Sequence, residues 1–245
     1  SFDFEYIHFV SISSEHNYEP GSSQYIWLES DLESANENRE NVPWIIVFAH
    51  RPMYSSNGDG DGHGSEIEFR EAMESLLFDY NVDLAIWGHD HHYERTHPVF
   101  EEEVYANNTG TYSDPYYLPG ATIHIVAGMS GRSVYDGLEE PQPEWSAYRE
   151  LSYGYTRFEV TKSGTLHYEF VRNSDGKVSD EFWIVRSSDY DSPTPNNEMN
   201  SENNTAKETE NKNVIEEIKE LNQHSLTSSI IVILISASIK SKNRK

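Results

Sequence analysis

The sequence predicts an α/β fold, an α+β sandwich of mixed sheets flanked by helices and closing in a β-rich C-terminal part, and three observations carry that prediction. Two apolar runs, WIIVFAH (44–50) and VDLAIWGHDH (82–91), pass abruptly from aliphatic to polar residues and read as buried strands. Between them SEIEFREAMESLLFDY (65–80) spaces its apolar residues as a helix does, giving a strand–helix–strand unit. From residue 122 onward, β-rich runs alternate with turn residues.

Taken in order, SFDFEYIHFV (1–10) reads as one strand, with Tyr6, His8 and Val10 alternating against Ile7, Phe9 and Ser11. It is already under way at the first residue, so the chain is expected to begin mid-protein. GSSQYIWLESDLESAN (21–36) offers Ser22 or Ser23 as a helix cap and a stripe of Tyr25, Ile26, Leu28 and Leu32. The second helix is expected to be capped by Ser65, with Ile67, Phe69, Met73, Leu76 and Leu77 on or near one face. A right-handed crossover then leaves the two buried strands parallel, and both histidine-bearing ends emerge at the same sheet edge. The stretch 101–119 is polar and turn-rich, and TIHIVAG (122–128), YTRFEVT (155–161), TLHYEFV (165–171) and EFWIVR (181–186) read as strands. Lys162, Ser163 and Gly164 supply one hairpin turn and residues 173–176 another.

The folded domain is expected to span 1–186. Residues 187–224 are an acidic, polar linker with few apolar positions, expected to be disordered apart from a short amphipathic stripe of Val214, Ile215, Ile218 and Leu221. Residues 225–245 are a short hydrophobic segment containing IIVILI, followed by KSKNRK. Its apolar part, 225–239, is shorter than the ~20 residues a bilayer span needs and is diluted by serines, so it reads as a marginal anchor ahead of an aberrant tail. The basic flank would place the C-terminus in the cytosol and the folded domain outside. A lipid-anchor signal fits less well, because such a tail ends in the hydrophobic run.

Composition narrows the partners. Asp plus Glu outnumber Lys plus Arg 42 to 18, for a net charge of −24, which argues against nucleic acid because its readers carry a basic face. An anionic substrate would need positive charge concentrated locally, as a pair of metal ions would do. The absence of cysteine excludes disulfides, thiolate metal sites and cysteine nucleophiles. Asn107 and Asn203, each in NNT, fit the glycosylation rule and matter only in the secretory pathway. The first residues carry no signal peptide. Oligomeric state is not legible.

The chemistry sits in VFAH (47–50) and GHDH (88–91). Ligand sites in open α/β sheets lie beyond the carboxyl ends of strands, and imidazoles there are placed to hold a metal. A single strand-end histidine is more often a satisfied polar residue, but two ordered motifs favour His50, His89 and His91 as ligands. His92, His97, His124 and His167 lack motif support and read as ordinary hydrogen-bonding or solvent-facing groups. The GDGDG run (58–62) has no bidentate Glu at calcium-loop spacing and reads as a flexible loop.

The longer strings PWIIVFAHRPMY (43–54) and AIWGHDHHYER (85–95), with SFDFEYIHFVSIS, SSQYIWLESDL, YGYTRFEV and DEFWIVR, resemble the purple acid phosphatases, a branch of the calcineurin-like metallophosphoesterases, most closely the animal and protist type. The resemblance covers 1 to about 186 and implies the C-terminal part of the family's catalytic sandwich. It implies two metals about 3–4 Å apart, as in two-metal hydrolases generally, ferric iron plus zinc, manganese or iron, with His50 and His89 on the divalent ion and His91 on the iron. It implies hydrolysis of phosphate monoesters, in the secretory pathway, outside the cell, in a lysosome or vacuole, or at a membrane. His63, in GDGHGSE, falls where the family often has a histidine that contacts substrate or protonates the leaving alkoxide; it stays open between that role and an exposed loop histidine. Arg51, Tyr54, Tyr93, Glu94 and Arg95 are expected to orient the imidazoles and brace the loops.

The family's other motifs, DxG, GDxxY and GNH(D/E), do not precede Val47, and the His–Asn pair in SSEHNYEP (13–20) is in reversed order. The chain thus carries three of the family's seven ligands, and little or no phosphatase activity is expected of it alone. The rival expectations are a catalytically inactive, membrane-tethered binding module and another metallophosphoesterase, a nucleotidase or diesterase, against which HRPMY and YGYTRFEV argue.

Overall fold

A computed structural model of the chain describes residues 1–57, 63–106, 108–131, 133–135 and 137–186. Asn107, Asn203, the loop 58–62, the linker 187–224 and the segment 225–245 with its expected anchor lie outside the described residues.

The chain enters as a hairpin rather than as one strand. β1 (Phe2–Phe4) and β2 (Ile7–Ser11) pair antiparallel, Phe4 opposite Ile7, because Glu5 takes a left-handed φ of 51° that no continuous strand permits. Helix α1 (Ser23–Glu37) starts at Ser22, whose Oγ accepts the Tyr25 N–H at 3.2 Å. It buries Leu28, Leu32 and Ala35, whereas Ile26, expected in the stripe, is exposed. After β3 (Trp44–Ala49), helix α2 (Ile67–Asp79) buries Phe69, Met73, Leu76 and Leu77. Its cap position is Glu66, whose side chain makes no capping hydrogen bond. Ser65, expected to cap it, turns back instead: its Oγ donates to the Ser55 carbonyl at 3.1 Å and accepts the Ser55 N–H at 3.0 Å. That bond closes a loop, and the helix begins two residues later.

The remaining strands are β4 (Leu84–Trp87), β5 (Tyr93–Phe100), β6 (Glu103–Val104), β7 (Tyr116–Tyr117), β8 (Ile123–Ala127), β9 (Ser146–Glu150), β10 (Gly154–Val160), β11 (Thr165–Arg172) and β12 (Val178–Val185). The first sheet runs β1-β2-β3-β4-β8-β5-β6, with β9 also on β5, and the second runs β10-β11-β12-β7. β2, β3, β4 and β8 are mutually parallel, as the strand–helix–strand reading requires, with Ile46 opposite Leu84 and Leu84 opposite Ile123.

The run WIIVF is apolar throughout because β3 is covered on both faces. Ile45 and Val47 meet α1 and α2, while Trp44 and Ile46 face the second sheet and pack with Phe158, Tyr168, Phe170, Phe182 and Ile184. Each such fully buried aliphatic or aromatic side chain contributes about 1.5–3 kcal/mol. The expected α/β sandwich is therefore present as helix, sheet and sheet layers. Both described helices lie on one face of the first sheet rather than flanking both sheets.

The two sheets are joined by polar as well as apolar contacts. In the layer between them the Arg95 guanidinium donates to Asp180 through Nε (2.7 Å) and Nη2 (2.9 Å). The Tyr93 hydroxyl donates to the same carboxylate at 2.8 Å, and its ring stacks on Phe170.

Candidate metal centre

Parallel β3 and β4 deliver His50 and His89 to one place. Both strands end together, tied by the Gly88 N–H bond to the His50 carbonyl at 2.9 Å. His89 adopts a left-handed φ of 64°, uncommon for a residue with a Cβ and typical of sites where geometry outranks local comfort. The turn brings its Nδ1 to 3.0 Å from His50 Nε2. Burial, with the neighbouring His89 adding to it, pushes the His50 pKa down, which keeps the ring neutral as a metal ligand must be.

Two more imidazoles complete the cluster. The His63 ring stacks on His89 with centroids 4.7 Å apart and lies 6.3 Å from His91. Tyr135, which no sequence motif singled out, stacks on His91 at 4.9 Å and meets His63 edge-on at 5.2 Å. Its N–H also bonds the His91 carbonyl at 3.3 Å. The structure thus brings His50, His63, His89 and His91 to one corner.

Asp90, between two of these histidines, is the second residue that motif reading missed. It is fully buried, accepts the Gly64 N–H at 3.0 Å and a hydrogen bond from the Ser55 hydroxyl, and so grips both shoulders of the loop that carries His63. Its backbone has room only because residue 128 is glycine: a Cβ there would stand 2.0 Å from the Asp90 carbonyl oxygen.

Glu94 lies beside this loop rather than on the imidazoles. It accepts the Ser56 N–H at 2.7 Å, the Ser146 hydroxyl at 2.6 Å and a bond from His92 at 3.0 Å. Against the upward push of burial, the His92 contact and these bonds hold its pKa low, so a buried carboxylate braces the loop. Arg51 also braces, spanning Glu15 (2.7 Å) and Glu66 (2.5 Å) at the end of β3.

The other expected supports make their contacts elsewhere. Tyr54 is buried under α2, bonding Glu74 and the Glu102 N–H, while Tyr93 and Arg95 hold Asp180 between the sheets. The four unassigned histidines do hydrogen-bond: His92 to Glu94, His97 to Tyr116, His124 to Trp87 and His167 to Glu181. Among the described residues, His63, His89 and Asp90 form one group able to hold a metal, and His167, Glu169 and Glu181 form another on the outer face of the second sheet. The converging imidazoles fit a metal centre.

The chain resembles known proteins both in sequence and in fold. A family model described as calcineurin-like phosphoesterase matches residues 4–93, and one described as iron/zinc purple acid phosphatase-like protein C matches 121–181. Acid phosphatase type 7 of Danio rerio is 39% identical over 178 residues, covering 66% of this chain and 40% of the relative. Probable inactive purple acid phosphatase 1 of Arabidopsis thaliana is 36% identical over 193 residues, covering 78% and 30%. The solved purple acid phosphatase PPD1 from yellow lupin (Lupinus luteus) seeds superposes with a TM-score of 0.71 at 29% identity, covering 82% of this chain and 35% of that one. The chain therefore spans well under half the length of these relatives. Purple acid phosphatases are dinuclear metal enzymes, and the chain, matched over residues 4–93 and 121–181, belongs to the purple acid phosphatase branch of the calcineurin-like phosphoesterases.

Proposed function

We propose that this chain contributes one side of a two-metal centre that hydrolyses phosphate monoesters, as in an acid phosphatase. The observation that carries the reading is the meeting of His50 and His89 at 3.0 Å, with His63 stacked on His89, where two parallel strands end. His50 and His89 hold a zinc, manganese or iron ion, and His91 holds ferric iron. When bound, such a pair neutralises phosphoryl-oxygen charge and acidifies a water. The chain's own groups supply orientation and protons. His63, held between His89, on which it stacks, and Tyr135, which meets it edge-on, is placed to protonate a leaving alkoxide. Tyr135 limits rotation of the His91 ring, and Arg51, held by Glu15 and Glu66, braces the loop instead of reaching for substrate.

The test uses inorganic phosphate and the Mn2+-loaded chain. The paramagnetic ion broadens the phosphorus resonance, and His50→Gln or His89→Gln removes the broadening; absence of broadening in the wild type sinks the reading. Turnover of para-nitrophenyl phosphate by the 245-residue chain stays near zero, because DxG, GDxxY and GNH(D/E) are absent from it.

A second reading is a member that binds without catalysis, favoured by similarity to a relative named as an inactive purple acid phosphatase. A nucleotidase or diesterase is the third, separated from the first by a substrate panel. In all three the protein works in the secretory pathway, outside the cell or in a lysosome or vacuole. Asn107 and Asn203 are then available for glycosylation, and 225–239 serves as a weak membrane anchor. No described helix is long and apolar enough to cross a membrane. Nucleic acid is not a partner in any of them, given the charge of −24.

A further inference from the structure

Asp90 poses an energetic question that its grip on the loop does not answer. Its side chain is 0% exposed, and Oδ2 accepts from Ser55 and Gly64, but Oδ1 has no hydrogen-bond partner among the described residues. An unpaired buried carboxylate oxygen is costly, and a cation is the partner that relieves it most completely. The nitrogen donors for such a cation are already present. One ligand atom each from His63, His89 and Asp90 lie within 4.8 Å of one another. Donors about 2.0–2.1 Å from a shared ion stand about 3.4 Å apart, so small side-chain rotations close the set.

We propose that His63, His89 and Asp90 form a site for a single divalent transition-metal ion, a donor set distinct from the all-histidine one that family resemblance assigns to His50, His89 and His91. Two imidazoles and one carboxylate suit zinc, manganese and ferrous iron alike, and leave coordination positions open. The site is built as a unit. Asp90 is one residue from His89, its second oxygen holds Gly64 beside His63, and Ser65 pins the loop again at Ser55. His89 belongs to both donor sets, and its left-handed φ turns the ring so that His50 and His63 both meet it. The proposal rests on reading this corner as a metal centre, and adds that the described residues can hold one ion without the family's other motifs.

The experiment is titration of the full 245-residue chain with Co2+, read by its visible ligand-field band, and with Zn2+, read by calorimetry. One ion per chain is expected. Asp90→Asn keeps an oxygen for Ser55 and Gly64 while replacing the unpaired oxygen with an amide. It and His63→Gln each weaken binding by about tenfold or more, whereas Ser55→Ala, which loosens the loop without removing a donor, stays within about threefold. Thermal melts check folding, and His63→Gln, which alters a half-exposed side chain, decides the matter if Asp90→Asn does not fold. Should His91→Gln weaken binding while Asp90→Asn and His63→Gln do not, the proposal is overturned and the metal-centre reading survives. Should the wild type take up no metal, both fall.

Discussion

Arg95 of β5 and Asp180 of β12 meet in a two-point ion pair, 2.7 and 2.9 Å, sealed between the two sheets. They lie 85 residues apart in sequence, and the Tyr93 hydroxyl donates to the same carboxylate at 2.8 Å. Removing one partner strands the other: Asp180→Ala leaves a guanidinium and a phenol unsatisfied and is expected to cost about 3–5 kcal/mol. The double variant Arg95→Met, Asp180→Leu costs less than the single one. Urea unfolding of the wild type and both variants measures the difference, and equal losses in the single and double variants would refute this account of the pair.

Gly128→Ala tests whether the GHDH turn depends on close backbone approach. The added methyl would stand 2.0 Å from the Asp90 carbonyl oxygen, so the turn must shift. A loss of about 1–3 kcal/mol is expected, together with weaker zinc binding. Gly131→Ala, where the Cβ meets nothing, serves as the control, and equal effects at the two positions would remove the explanation.

Glu150 contributes to acid stability. Glu150 accepts from Arg172 through both oxygens, at 2.6 and 3.1 Å, and from Tyr148 at 2.7 Å. The Arg172 bond, outweighing desolvation, lowers its pKa from 4.5 to about 2. A carboxylate with a depressed folded pKa binds fewer protons folded than unfolded between those values. Its stabilisation is therefore complete above about pH 4.5 and is lost as pH falls toward 2. Urea midpoints of wild type and Glu150→Gln should converge between pH 5 and about 2.5. A constant gap across that window would assign the effect to packing instead.

Metal should appear in the melting curve. Zinc at about a hundred times its dissociation constant adds about 2.7 kcal/mol to stability, and EDTA withdraws it. In His89→Gln, which removes the imidazole shared by both donor sets, the melting temperature should no longer respond to zinc or chelator. A retained response would place the zinc elsewhere, and His167 with Glu169 and Glu181 is then the alternative.

The sequence made the strand–helix–strand unit legible because apolar runs and helical spacing are local signals. The same signals placed His50, His89 and His91 at strand ends. β5 escaped notice because Tyr93, Glu94, Arg95 and Pro98 do not look like an interior strand; their burial depends on Asp180, Ser56 and Ser146, all distant in sequence. The entry hairpin was hidden because alternation continues through Glu5, and only that residue's backbone angle reverses the chain. Asp90 stands inside GHDH without a ligand role of its own in that motif, and Tyr135 lies outside every motif. Their roles come from which atoms they meet once the loops have folded.

The alternation of side chains along residues 89–95 has an evolutionary corollary. His89 and His91 join the imidazole cluster, Asp90, His92 and Glu94 go to the buried bonds around the loop, and Tyr93 and Arg95 enter the layer between sheets. Most loops accept inserted or deleted residues freely. Here a change of a single residue in length would exchange the two sets of destinations, as a register slip does in a strand. An inserted or deleted residue in this stretch is therefore expected to displace every one of these side chains at once, where a substitution displaces one.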